Sequence, residues 1–128
     1  MGHDYLVVLA VGVTLKVGDF IDAFSSPDSI YIRDLKVLNV QESFDFLREE
    51  VKEIQKGYVN IHYDSQRPLE RDDHIFICGN NMIVEDARCL CIKVDIKKLT
   101  KVDSKLNAFV KKYFPGADAS LTMFGYED

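Results

Sequence analysis

The chain has 128 residues and a mass of 14.6 kDa, which is the size of one domain and excludes two independent catalytic domains. Hydrophobic residues make up 47% of it and charged residues 29%, proportions that exclude disordered, collagen-like and coiled-coil classes. The formal net charge of −5 argues against a dedicated nucleic-acid binder. We therefore expect a single compact domain over residues 1–128 with a substantial core.

The apolar segments are short, and the cysteines are few. The longest apolar run, residues 6–13, is well below the ~20 residues of a spanning helix, and no basic stretch precedes it as in a secretory signal. The three cysteines are odd in number and lie in apolar segments, which favours reduced thiols over a disulfide framework. These features predict a cytoplasmic protein without a membrane segment.

The N-terminal part of the chain predicts one strand followed by two less regular elements. Residues 5–13 are rich in Val and Leu without alternating polar residues, which is typical of a central strand covered on both faces. Residues 19–24 have apolar side chains at helical spacing, which favours a short helix. Residues 29–38 alternate as in a short strand or an extended segment.

Two amphipathic helices are predicted, over residues 39–57 and 100–114. The first has an apolar stripe at steps of three and four residues, a cap at Asn39 and a terminating Gly57. In the second, Thr100 with an aspartate three residues later resembles a capping box in front of another apolar stripe. Both helices should lay their apolar faces on a sheet.

Alternating apolar and polar residues predict several further strands. A hairpin is expected at residues 79–81, Gly-Asn-Asn, because these residue types tolerate positive φ. The predicted strands lie at residues 58–64, 74–78, 82–84, 88–96 and 119–124. Hairpin connections require antiparallel pairing, so we predict an α+β two-layer sandwich with a mixed, mostly antiparallel sheet of about five to six strands.

The histidines and cysteines do not specify a metal site or a reaction. The zinc-ligand types within one short stretch are His74, Cys78, Cys89 and Cys91. The first two would lie roughly 13 Å apart on a strand, and one residue separates the last two, so the spacing does not fit a zinc site. Since no phosphate-binding loop or nucleophile elbow is present, we expect no metal and no cofactor. A small enzyme that uses His62, His74 or a cysteine is the alternative.

The outer face of the predicted sheet is unusually apolar. If Ile75 and Ile77 face the main core, Phe76 lies on the opposite face together with Cys89 and Cys91. A two-layer fold would leave that face to solvent, so we expect another part of the chain, a second copy or a partner to cover it. Phe76, Cys89 and Cys91 are therefore candidate interface residues.

Charge is distributed unevenly along the chain. Residues 97–112 contain six lysines and one aspartate, a net charge of +5. The rest of the chain therefore carries a net charge of −10, which gives the total of −5. In the predicted helix, Lys101, Lys105 and Lys112 lie within roughly 40° of one another and form a ridge. Such a ridge predicts contact with an acidic protein or a phosphate group, unless glutamates of the first helix neutralise it.

Phe46 is a further candidate interface residue, because it projects to the acidic outer side of the first helix, where an exposed aromatic is typical of an interface. It would be structural instead if it packs under residues 14–38.

These features favour a small acidic protein-binding module, a regulator or inhibitor of the host-takeover or anti-defence type, acting through a protein partner or through self-association. The regulatory role rests on an association with small acidic proteins in general and not on a motif. The alternatives are the small enzyme and a domain that binds nucleic acid or an anionic ligand through the lysine-rich helix, although the net charge disfavours nucleic acid.

Overall fold

The computed structural model describes residues 5–24, 39–86, 88, 93–101 and 103–127. These residues form β1 (Tyr5–Lys16), α1 (Val17–Phe24), α2 (Val40–Ile54), β2 (Asn60–His62), β3 (His74–Asp86), α3 (Ile96–Leu99), α4 (Ser104–Tyr113) and β4 (Ser120–Glu127). The predicted α+β class is confirmed. Within the described residues, however, the sheet has four strands instead of five to six. The two predicted amphipathic helices are accompanied by α1, at the position of the short helix predicted over residues 19–24, and by the single turn α3.

The sheet has the strand order β2-β3-β1-β4, and each pairing is antiparallel. β1 lies in the interior of the sheet, as its continuous apolar pattern predicts, because it pairs with β3 on one side and β4 on the other. The β1–β3 ladder shifts register between Ala10, which faces Met82, and Gly12, which faces Cys78. A Cβ atom on Gly12 would overlap the carbonyl oxygen of Ile77, so a glycine is required at this close approach.

The predicted hairpin at residues 79–81 is wrong, because β3 is one continuous strand of 13 residues. Tight hairpin turns need positive φ, and within the described residues only Lys56 and Gly57 have it. The Gly-Asn-Asn sequence lies instead in the irregular part of the β1–β3 ladder. Glycine and asparagine here mark a bulge in a long strand.

The first long helix, α2, begins and ends close to the predicted bounds. The backbone N–H of Glu42 donates to Oδ1 of Asn39 at 2.8 Å, and the Asn39 amide donates to the Glu42 carboxylate at 2.7 Å. The chain leaves the helix through Lys56 and Gly57, whose φ values are 52° and 77°. The capping residues therefore fix this helix locally.

The second long helix, α4, is shorter than predicted. Its cap is Asp103, whose Oδ1 accepts from the backbone N–H groups of Lys105 and Leu106, both at 3.0 Å. Thr100, predicted as the cap, instead ends the single turn α3. The end of the predicted strand 88–96 is also wrong, because residues 93–95 are irregular and Ile96 begins α3.

Two further predictions lie outside the described residues. They are the extended segment at residues 29–38 and the central part of the predicted strand 88–96, residues 89–92.

The main core lies between one face of the sheet and the helices α1, α2 and α4. Its large fully buried side chains include Phe20, Phe24, Phe44 and Leu47, and neighbouring rings pack edge to face, as Phe20 and Phe24 do at 5.0 Å between centroids. A smaller cluster lies on the opposite face of the sheet. Its fully buried members are Val8, Ala10, Phe76 and Cys78.

Candidate functional site

A groove of about 290 Å³ lies where the C-terminal end of α2 meets α4. Three lysines, two tyrosines and an exposed isoleucine dominate its lining, and none of the described lining residues is acidic. We call it the lysine-tyrosine groove, and its residues are Ile54, Gln55, Lys56, Tyr58, Lys105, Ala108, Phe109, Lys112 and Tyr113.

One wall of the groove is formed where α2 ends. After Ile54, the N–H of Gly57 donates to the carbonyl of Lys52 at 3.2 Å, and the N–H of Tyr58 donates to the carbonyl of Gln55 at 3.0 Å. This turn requires left-handed backbone at Lys56 and Gly57, a conformation that lysine rarely adopts. It places Lys56 and Tyr58 beside α4 instead of continuing the helix.

The other wall is α4, whose position is fixed by its cap. The Asp103 carboxylate lies against the backbone of β3, where a Cβ atom on Gly79 would overlap it. The glycine therefore allows the start of α4 to approach the sheet closely. From this fixed start, Lys105 and Lys112, seven residues apart, fall on the same side of the helix.

Cationic and aromatic groups are in direct contact in the groove. The Nζ of Lys105 lies 3.0 Å from the centre of the Tyr58 ring, and the Nζ of Lys112 lies 5.2 Å from the centre of the Tyr113 ring. The pKa of the Tyr58 phenol is lowered, because a hydrogen bond from Lys105 and the charge of its ammonium group both favour the phenolate. The groove thus presents positive charge next to flat aromatic surface.

The described arginines and lysines differ in their acidic partners, because of the described lysines only Lys16 has a carboxylate within ion-pair distance. Each of the four described arginines lies within ion-pair distance of a carboxylate; the pairs are Arg48–Glu49, Arg67–Asp73, Arg71–Asp22 and Arg88–Asp86. In the same part of the chain, no carboxylate lies within that distance of Lys56, Lys105 or Lys112. The glutamates of α2 therefore do not neutralise these lysines.

The structure separates the three lysines of the predicted ridge. Lys105 and Lys112 line the groove, but Lys101 precedes α4 and lines a different cavity, of about 200 Å³, together with Asp103. The ridge prediction is wrong at this end, because the helix begins three residues after Lys101. The groove is completed instead by Lys56, which comes from α2's terminal turn.

The aromatic candidates of the interface are buried to different degrees. Phe76 is fully buried in the single chain, where it belongs to the smaller cluster with Val8, Ala10 and Cys78. Phe46 is partly buried and packs against the main core. Cys89 and Cys91 lie outside the described residues.

Among the described residues, His62 and Cys78 lie in environments that do not favour nucleophilic chemistry. His62 stacks between aromatic neighbours, 6.4 Å from the Phe76 centroid and 5.7 Å from the Tyr126 centroid, and its buried Nε2 has no hydrogen-bond partner in the described chain. Burial lowers the pKa of His62. Burial, together with the charge of Asp103, raises the pKa of the Cys78 thiol to about 12, so the reactive thiolate is scarce at neutral pH.

Within the described residues, no three His, Cys, Asp or Glu side chains are grouped so that they would hold a metal ion. In the same residues, no helix combines the length and the apolarity that crossing a membrane demands. Comparison with protein-family models, curated proteins and solved structures finds no match to this chain.

Sequence reasoning missed half of the groove. It placed Tyr58 in the strand predicted over residues 58–64 and Tyr113 in the helix predicted over residues 100–114, and it did not consider Lys56. The available signal was the Lys56-Gly57 pair, since a glycine that ends a helix redirects the residues after it. The contact between Tyr58 and Lys105 depends on the packing of α2 against α4, which no local pattern reports.

Proposed function

We propose that this chain is a protein-binding module whose lysine-tyrosine groove holds a short acidic segment of a partner protein. The observation that carries the proposal is the grouping of three lysines with Tyr58 and Tyr113 in one groove, whose described lining contains no acidic residue and whose lysines have no carboxylate of the described residues within ion-pair distance. Carboxylates of the partner would supply the missing negative charges. By binding this segment and keeping it from other contacts, the module acts as a regulator or inhibitor of the partner protein.

The shape and chemistry of the groove support a peptide as its ligand. A volume of about 290 Å³ accommodates a few side chains and is at the small end of pockets for drug-sized ligands. Ile54 and Tyr58 are both exposed and add apolar surface beside the lysines. The best fit is a segment in which acidic residues alternate with an apolar or aromatic residue.

The distribution of charge favours an acidic peptide over nucleic acid. Residues 97–112 carry a net +5, but the rest of the chain carries −10 and would repel a long polyanion. A short peptide that contacts only the groove avoids most of this repulsion. Nucleic-acid binding through the same lysines is the second candidate function, and one experiment compares the two.

The test titrates the protein into a fluorescently labelled peptide of alternating glutamate and leucine and, separately, into labelled single-stranded oligodeoxythymidine. The key variant carries Lys105→Glu and Lys112→Glu. The matched control carries Lys97→Glu and Lys111→Glu, which make the same charge change at exposed positions outside the groove. Fluorescence anisotropy gives Kd for each pair.

We expect the native protein and the control to bind the peptide with similar Kd, and the groove variant to bind at least about tenfold more weakly, a loss of about 1.4 kcal/mol. Equal weakening by both variants would mean that net charge and not the groove governs binding, which contradicts the proposal. Preference for the oligonucleotide would assign the lysines to nucleic acid instead.

A further inference from the structure

The two edges of the sheet are built differently. β2 contributes three residues to one edge, whereas β4 forms the other edge with eight, Ser120–Glu127. Among the described residues, no strand pairs with the outer side of β4, although at the end of β4 the backbone N–H of Ser65 donates to the carbonyl of Glu127 at 3.4 Å. A strand of this length leaves a row of backbone N–H and C=O groups able to pair with another strand.

β4 lacks the usual features that prevent edge pairing. Natural edge strands are protected by charged residues, by proline or by bulges. Residues 120–126 contain no charged residue and no proline. The pairing of β4 with β1 continues without a register shift from Ser120 opposite Gly12 to Glu127 opposite Tyr5, so no bulge bends this edge.

Apolar side chains also extend to this edge on one face of the sheet. Met123 lies opposite Leu9, and Leu121 lies opposite Val11, so the four share a face. Leu121 is 49% exposed and Met123 is 70% exposed, whereas Leu9 and Val11 are partly buried. These apolar side chains are therefore more exposed on β4 than on β1. Side chains of a further strand beside β4 would cover Leu121 and Met123.

The geometry points to a second copy of this chain as the occupant of the edge, paired antiparallel through β4 about a two-fold axis at Thr122. Opposed residues of antiparallel strands share a face, so this register places Leu121 of each copy opposite Met123 of the other. The paired stretch is 120–124, and the charged residues Asp118 and Glu127 lie outside it.

The absence of charge in residues 120–124 of β4 is what selects a second copy. A two-fold axis brings identical residues together, so any charge near Thr122 would face its own like charge. Residues 120–124 are uncharged, and their two most exposed apolar side chains are complementary to each other in this register. This surface is independent of the lysine-tyrosine groove, and neither proposal requires the other.

Sedimentation velocity over a concentration series measures the association directly. We expect the native chain to shift with concentration from 14.6 kDa to twice that mass. Leu121→Glu alone and Met123→Lys alone should each abolish the dimer, because each places a charge against an apolar partner. The control is Ile96→Lys, at a position 66% exposed and outside β4, which should dimerise like the native chain.

A mixture of the two variants tests the register. Leu121→Glu in one copy and Met123→Lys in the other would form an ion pair on one side of the axis and leave the native Leu-Met pair on the other. We expect the mixture to recover the dimer that each variant alone has lost. A register centred on Met123 would instead place Leu121 opposite Gly125, and mixing would recover nothing.

Hydrogen exchange completes the test, because dimerisation should slow exchange of β4 amides in a concentration-dependent manner. A native chain that stays monomeric at all concentrations overturns the inference, and so does a dimer that survives both single variants. Protection of β4 by an added unrelated extended peptide, with the chain itself monomeric, would assign the edge to a different partner and equally overturn it.

Discussion

The carboxylate of Asp103 occupies the space that a side chain at position 79 would need. Through this contact the cap of α4 lies directly on β3, and the position of α4 in turn sets that of Lys105 and Lys112. We predict that Gly79→Ala lowers the free energy of unfolding by about 1–3 kcal/mol, because the new methyl group must displace the carboxylate. Urea denaturation measures the change.

A double-mutant cycle separates this contact from a general effect of alanine in a strand. Asp103→Ala alone should cost about 1 kcal/mol through the lost cap. In that background, Gly79→Ala should cost less than it does in the native chain, since the overlapping oxygen is gone. Gly116→Ala, at a position with open space around it, is the control. Additive effects of the two substitutions would contradict the contact.

His62 should make stability depend on pH. Burial lowers its pKa in the folded chain, while the unfolded chain titrates near the ordinary value of about 6.5. Above about pH 6.5 the imidazole is neutral in both the folded and the unfolded chain, so His62 does not make the free energy of unfolding depend on pH there. Below about pH 6.5 the unfolded chain takes up the proton more readily than the folded chain, so the free energy of unfolding falls. We predict a decline in the free energy of unfolding between about pH 7 and pH 5.

The variant His62→Phe tests this origin of the decline. Phenylalanine keeps an aromatic ring near Phe76 and Tyr126 and removes the buried Nε2, for which the described residues supply no hydrogen-bond partner. The decline between pH 7 and pH 5 should become shallower in this variant, as measured by denaturation at each pH. His74→Gln, which removes an imidazole from an exposed position, is the matched control. An unchanged slope in His62→Phe would refute the assignment.

How far the sequence predicts this fold depends on how local each signal is. Asn39 and Gly57 act within one or two turns of their own helix, and α2 appears where they indicate. The Gly-Asn-Asn sequence at 79–81 predicts a turn where the structure has a continuous strand, because these residue types suit both a turn and a bulge. Only the pairing of β3 with the distant β1 decides between them.

The groove shows the same limit. The lysines of α4 are evident from composition, but their accessibility depends on which carboxylates the fold brings near them. Asp103 illustrates the difficulty, because Thr100 and Asp103 both suit a cap. The structure has Asp103 as the cap, with its carboxylate against Gly79, a residue that is distant in sequence. This cap removes Lys101 from the helix and from the groove.

The contact between Lys105 and Tyr58 predicts a measurable titration. The ammonium group lowers the pKa of the Tyr58 phenol below its ordinary value of about 10. Replacing Lys105 with methionine removes both the hydrogen bond and the charge, so the Tyr58 pKa should rise. NMR titration of the tyrosine ring signals, assigned with Tyr58→Phe, measures it. A Tyr58 pKa that is the same in both proteins would show that the contact does not persist in solution.

Cys78 should be inert in the folded protein. With a thiol pKa of about 12, the thiolate fraction at pH 8 is on the order of 10⁻⁴, and the side chain is fully buried. We predict that iodoacetamide fails to label Cys78 in the native chain and labels it in concentrated urea. Peptide mapping by mass spectrometry distinguishes Cys78 from the other two cysteines. Rapid native labelling at this position would contradict the burial and would revive a reactive role.

Salt should act in opposite directions on the two proposed surfaces. Peptide binding in the lysine-tyrosine groove joins opposite charges, so its Kd should rise between about 0.05 and 0.5 M NaCl as screening increases. Pairing through β4 joins two chains that each carry −5 around an uncharged contact, so screening should strengthen the dimer over the same range. Anisotropy and sedimentation at matched salt concentrations measure both. The Kd for the peptide should rise with salt, whereas the Kd for the dimer should fall. If both Kd values change in the same direction, one surface has been assigned to the wrong partner.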